Sequence, residues 1–379
     1  MTLVKMQHYL LRPGAPLVFG TGRPLDFGLG GESLAYPFPS TVAGAIRAAA
    51  AVAEGKPPDP YFECGSIALG HSALVQLDPN LAPRELLFAR PADAVFIGGR
   101  LLALKPYDTP PDCWTDLPVG LRALELSEPV DAKPDSAEPW WTRTKMQAWL
   151  ASTANTAAEK FKDERGPRPA ERTHVVIEAN AAGGAEQGGL FRTSGEDFGP
   201  GGAGGGHAIW LETGCAGLDG LGRRLGGEGR LVRIELLQQA LSLPTSPEMN
   251  DSDKRRVRFV LMTPALFERG GWFPDWMCGS VEAGLPQDRA TRLESATVPG
   301  TNVKVRLVAA AIGRAQSYSG WQKNEQGAGP GQPWRVVPAG SVYWFDVLAG
   351  DAAAMHGRSL CEGRWLNDGW GYGVIGKGS

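Results

Sequence analysis

The chain has 379 residues, 42% of them hydrophobic, enough to bury a large core as two domains or one elaborated domain. Its 38 basic and 41 acidic residues leave a formal charge of −3, so global charge marks no nucleic-acid binder and any such surface has to be a local patch. With 51 glycines and 30 prolines, long loops and turns are expected and helix content is modest.

Cys64, Cys113, Cys215, Cys278 and Cys361 are odd in number and scattered, with no C-x-x-C pair. That pattern supports neither a disulfide framework nor a zinc site, and a reduced, cytoplasmic compartment fits it best. The opening MTLVKMQHYLLRPG reads as a first strand and turn rather than a signal peptide. No later run approaches the ~20 apolar residues of a membrane span. Neither a membrane contact nor a cofactor is expected.

In chain order, Leu3–Leu11 is rich in strand formers and ends on Arg12-Pro13-Gly14, a turn signal. A short apolar run, Leu17-Val18-Phe19, precedes a glycine-rich loop with Arg23 and Asp26. In the stretch YPFPSTVAGAIRAAA, Tyr36 to Ala50, Pro37 and Pro39 hold the approach extended. Ser40 then stands where an N-cap belongs, and Val42, Ile46 and Ala49 are spaced for one buried face. Gly44 in mid-helix costs about 1 kcal/mol against alanine, which implies a close neighbour. A helix start with free amides, the hydroxyls of Ser40 and Thr41, and Arg47 suits a phosphate. An ordinary capped helix on a sheet accounts for the same residues.

Residues 56 to 170 read as an insertion, with a hairpin from Glu85–Arg90 and Ala94–Ile97 and a helical composition over Trp140–Phe161. Arg172–Ala179 and Leu190–Arg192 make a long hairpin with a glycine-rich tip, followed by a flexible connector at Gly199–Gly206 and a strand at His207–Glu212. From Leu218 to Leu237 the expectation is a short helix, a tight loop at Gly226–Gly229 and a strand from Arg230. Leu243–Asp253 is the candidate domain boundary. Beyond it lie strands at Arg255–Met262, Val303–Ala310 and within Pro338–Leu348, an aromatic cluster GGWFPDW, and the closing DGWGYGVIGKG. Strand, helix, strand, strand, short helix, strand over the first half is the βαββαβ ferredoxin-like order. The fold class is therefore α+β, with two such ferredoxin-like (RRM-like) domains. They are placed at 1–243, with an insertion at about 56–170 and a hairpin at about 172–193, and at 254–379.

Chemistry-bearing motifs are sparse. None of His8, His71, His174, His207 and His356 has a catalytic motif beside it, and Asp251-Ser252-Asp253 reads as a solvated linker before a metal site. Gly226-Gly227-Glu228-Gly229-Arg230 precedes a strand, the wrong polarity for a dinucleotide or P-loop fingerprint. Such a loop still lets a ligand backbone approach closely, with Arg223, Arg224 and Arg230 supplying charge; a tight turn with solvated arginines is the plain alternative. Alternation places Lys254, Arg256 and Arg258 on one side of a strand. Gly313–Trp321 mixes Arg314 with hydroxyls and aromatics, a set suited to single-stranded RNA.

Six segments, PFPSTVAGAIRAA, THVVIEA…GGLFRT, LGGEGR, TPALFERGGWFPDW, VPAGSVYWFDV and DGWGYGVIG, lie in this order along nearly the whole chain. Together they resemble the family of third subunits of the Cmr complex, the type III-B CRISPR effector, within the RAMP superfamily. That resemblance implies ferredoxin-like domains, a glycine-rich RAMP loop and a projecting hairpin. It also implies a subunit without nuclease activity that binds the 5′ tag of crRNA, joins the large polymerase-like subunit to the backbone RAMP subunits, and meets target RNA indirectly. Carried over by position, Pro39, Ser40, Thr41 and Arg47 lie at the RNA-facing helix start, Gly226, Gly227, Gly229 and Arg230 form the RAMP loop, and His174 and Arg192 stand on the hairpin. Arg314 is added from composition alone. Two rivals stay open: a metal-independent endoribonuclease processing repeat RNA through His174, and a protein-interaction module without RNA contact.

Overall fold

The computed structural model describes the chain except residues 1–4, 21–32, 64–67, 111, 114, 116, 153–155, 158–164, 178–184, 200–204, 270, 282–290, 325–326 and 379. The loop around Arg23 and Asp26, the hairpin tip and most of the glycine connector therefore lie outside the described residues. The fold is mixed α+β with antiparallel sheets, divided into two compact units of interleaved segments. The first draws on Met1–Glu85, Gly166–Ala240 and Ser317–Trp334, and the second on Leu86–Arg165, Leu241–Gln316 and Arg335–Ser379.

The first unit contains β1 (Gln7–Pro13), α1 (Pro39–Ala53), β2 (Ser72–Leu77), β3 (Arg168–Ile177), β4 (Ala185–Asp197), β5 (His207–Thr213), β6 (Gly222–Arg224) and β7 (Leu231–Leu236). Its sheet runs β6-β7-β1-β5-β2. Leaving aside the short β6 and the strand Pro83–Ala89 that follows β2, that is the order fourth, first, third, second. Tyr9 faces Leu211, and Leu11 faces both Ile209 and Ile234, so one apolar layer crosses three strands. Helix α1 buries Val42, Ile46 and Ala49 as its spacing requires and packs against β6. The close neighbour implied by Gly44 is Pro60, whose Cβ would lie 3.6 Å from a Cβ added there.

The N-cap is Phe38 rather than Ser40, and Pro39 opens the helix. Proline's fixed φ is preorganised for a first helical position and its missing N–H is no loss there, so the helix begins two residues earlier than the hydroxyl signal indicates. The short helix expected from Leu218 is also absent: the stretch turns twice, with Gly217 and Gly220 in the left-handed region, and pairs as β6. The sheet's second strand is β2, inside the stretch read as an insertion, whereas β3 and β4 form a separate two-stranded hairpin.

The second unit contains α2 (Arg143–Ala151), β8 (Arg256–Leu261), β9 (Lys304–Ala311), β10 (Val342–Ala349), α3 (Gly363–Asn367) and β11 (Gly373–Lys377). Its main sheet adds Ala296–Thr297 at one edge and then runs β9-β10-β8-β11, again second, third, first, fourth. Phe259 faces Tyr343 on one side and Ile375 on the other, all buried. The closing glycines permit tight packing: a Cβ at Gly376 would lie 2.9 Å from the Leu150 carbonyl oxygen of α2. Ala94–Ile97 pairs with Arg100–Tyr107 around Gly98-Gly99, not with the preceding strand as expected, because both glycines adopt the positive φ of a tight hairpin. The helix expected over Trp140–Phe161 is confined, among the described residues, to α2.

Candidate nucleic-acid interface

The glycine loop between β6 and β7 is held by its own backbone. Leu225 donates its N–H to the Arg230 carbonyl at 2.9 Å, and Gly227 donates to the Val18 carbonyl at 2.8 Å. Gly226, Glu228 and Gly229 all have positive φ, at 75°, 56° and 65°. A Cβ at Gly226 would collide with the Val18 carbonyl oxygen, so only glycine fits that close approach. The amides of Gly226, Glu228 and Gly229 donate no hydrogen bond among the described residues, and all three residues are exposed. Backbone of this kind, with unspent N–H groups around left-handed residues, forms a concavity suited to an anion.

The hairpin leans its inner side chains on this loop. His174 and Phe191 stand opposite each other across β3 and β4 and stack with ring centres 5.1 Å apart. His174 Nε2 lies 2.9 Å from the Thr193 hydroxyl, and Thr193 in turn hydrogen-bonds the Glu228 carboxylate. Glu228 Oε2 receives Arg230 Nη2 at 2.6 Å, while its Oε1 lies 3.7 Å from His174 Nε2. Burial alone would raise the Glu228 carboxyl; the hydrogen bonds from Arg230 and Thr193 and the Arg230 and His174 charges outweigh it and hold the pKa low. His174, Gly226, Gly227, Gly229 and Arg230, more than fifty positions apart in sequence, are thus brought together.

Pro39, Ser40 and Thr41 occupy the first turn of α1, with Pro39 buried, the two hydroxyl residues half-buried, and Arg47 two turns further on. Between the loop and the approach to this helix runs a segment whose importance the sequence barely signalled. Leu17 exchanges two backbone hydrogen bonds with Glu196 of β4, at 2.9 and 2.7 Å, and Val18 accepts from Gly227. Phe19 accepts from Leu34 and donates to the Ser33 hydroxyl, just before the approach to α1. The apolar run Leu17–Phe19 therefore ties the hairpin, the loop and the helix approach into one piece.

Arg192 points to the other face of the hairpin, exposed beside Glu171 at 3.8 Å, and does not join His174. Arg314 is exposed in an irregular stretch of the second unit. Arg223, named with the loop only as general charge, has Nε and Nη2 buried without a hydrogen-bond partner among the described residues. Elsewhere in the first unit His71 bonds Glu212 at 2.9 Å and His8 lies 3.9 Å from it, a contact that no spacing revealed. Arg258, grouped by alternation with Lys254 and Arg256, is buried. Among the described residues, no group of three or more histidine, cysteine or acidic side chains is placed to hold a metal ion, and no helix is long and apolar enough to cross a membrane.

A family model described as CRISPR-associated protein (Cas_Cmr3) matches residues 9–378. No curated protein matches the sequence. Two solved chains from a type III-B Cmr-beta assembly bound to cognate target RNA, one of them also with AMPPnP, are similar at 13% identity over 89% of this chain and 86% of theirs. Their TM-scores are 0.45 and 0.44.

Proposed function

The chain belongs to the Cmr3 family of CRISPR-associated proteins, matched over residues 9–378, and from that premise we propose that it is a non-catalytic RNA-binding subunit of a type III-B effector complex. The observation that carries the reading is the convergence of hairpin and glycine loop, where His174 and Thr193 meet Glu228 and Arg230 beside loop amides that donate no hydrogen bond among the described residues. Loop amides and Arg230 hold phosphates of the crRNA 5′ tag, the start of α1 with Ser40, Thr41 and Arg47 extends that surface, and the hairpin stands between tag and guide. In the same reading both units are ferredoxin-like RAMP domains, supported by their shared strand order of fourth, first, third, second. The subunit links the large polymerase-like subunit to a backbone RAMP subunit in the cytoplasm and meets target RNA only through the assembly.

Replacing Arg230 and Arg47 together by alanine is expected to weaken binding of a single-stranded RNA by ~1–3 kcal/mol. The slope of log Kobs against log[salt] is expected to become shallower by about 0.7 for each phosphate that is no longer neutralised. Unchanged affinity across several salt concentrations would remove these residues from the interface. RNA ends that shorten only while His174 is intact would instead support the endoribonuclease.

A further inference from the structure

The glycine loop contains one residue of the wrong sign for its proposed task. Glu228 sits among Gly226, Gly227 and Gly229, where the backbone offers donors to an anion, and it is itself an anion. Its φ of +56° lies where a side chain is costly and glycine is the ordinary occupant. Three neighbouring positions already are glycine, so retaining a carboxylate at this strained position points to a use for it.

The position of the carboxylate indicates that use. It lies where Arg230 from the loop and Thr193 and His174 from the hairpin converge, at 2.6 Å from Arg230 Nη2 and 3.7 Å from His174 Nε2. A phosphodiester presents the same feature to such donors, two oxygens sharing one negative charge. Arg230 is not fully engaged: its Nε is buried and has no hydrogen-bond partner among the described residues. The guanidinium thus keeps a donor in reserve while one edge is occupied from within the chain.

We propose that Glu228 is an internal stand-in for an RNA phosphate, holding Arg230 and the hairpin in register until a phosphodiester displaces it. The proposal rests on the RNA-binding reading above and deepens it by naming what the RNA competes with. The flanking glycines give the side chain and its peptide room to swing toward solvent once it is released. Before binding, Arg230 is neutralised, so it adds little to attraction at a distance. A strand must place a phosphate at the loop itself to engage that arginine.

The test is RNA-binding anisotropy with the full chain and a fluorescent single-stranded RNA at several salt concentrations. It compares the unaltered protein with Glu228→Gln, Glu228→Gly and Arg230→Ala. Removing the carboxylate is expected to tighten binding by about fivefold, the scale of a partly exposed ion pair. It should also steepen the salt slope by about 0.7, because Arg230 then meets the phosphate as a full charge. Glu228→Gly suits the left-handed backbone and decides the matter should the glutamine variant fold poorly. Equal or weaker binding by both Glu228 variants, with Arg230→Ala still weakening it, overturns the internal stand-in and leaves the RNA-binding reading in place. Binding by Arg230→Ala equal to that of the unaltered protein overturns the reading itself.

Discussion

In the second unit Arg258 leaves β8 and is enclosed. Its Nη1 pairs with the fully buried Asp93 at 2.6 Å, its Nη2 donates to the carbonyls of Trp149 and Ser152 at 2.8 Å each, and its Nε donates to the Lys377 carbonyl at 2.5 Å. Trp149 Nε1 completes the cluster by donating to the other Asp93 oxygen at 3.0 Å. In the first unit Arg230 enters β7 from a glycine loop, its side chain bonds Glu228 in its own loop, and its buried Nε has no hydrogen-bond partner among the described residues. Both arginines open or occupy a strand of a sheet with the same strand order. One has its donors met by the fold and ties α2 to β8 and β11; the other has donors to spare and lies under an open loop. An arginine's role therefore follows from how many of its donors the fold satisfies, not from its place in a basic run.

The comparison breaks most visibly at Asp93. Asp93→Ala leaves the Arg258 charge buried and unpaired, which is expected to destabilise the protein by about 3–5 kcal/mol in urea unfolding. Replacing both partners with apolar residues of similar size, Asp93→Leu with Arg258→Met, should restore much of that stability. A cost below about 1 kcal/mol for Asp93→Ala would place Arg258 with the surface arginines instead.

A smaller effect sharpens the contrast on the first unit's side. Glu196, at the base of the hairpin, is 5% exposed, and its side chain has no hydrogen-bond partner among the described residues. Burial pushes its carboxyl up to about 7. Because the folded value is raised, the contribution of this group is fully present below the unfolded value near 4.3 and is lost as pH rises through about 7. Glu196→Gln should therefore stabilise the protein on the order of 1–3 kcal/mol at pH 8 and make little difference at pH 4. Unfolding curves at the two pH values check this, and an equal effect at both would assign the change to packing rather than ionisation.

Much of this was legible in the sequence where local chemistry decides. The prolines and alanines before and within α1 set that helix to within two residues, and the positive φ of Gly226 and Gly229 matches the loop read from their spacing. Strand β2 was missed because SALVQL is buried at every position but Gln76, leaving no alternation to read. The short helix expected from Leu218 does not form because Gly217 and Gly220 adopt positive φ and turn the backbone. Asp93 is 165 positions from Arg258, and a pairing at that range has no local signature. The same holds for Thr193 and Glu228, so the grouping of hairpin and loop emerges only once the chain is folded.

Whether this first-unit surface holds the crRNA tag is tested most directly by ultraviolet crosslinking. The chain would be assembled with its partner subunits and crRNA, irradiated, digested, and its RNA adducts mapped by mass. A tag-binding surface here predicts adducts within residues 38–47, 172–193 or 226–230, joined to the 5′ end of the RNA. An assembly that retains its RNA yet shows no adduct on this chain would contradict it.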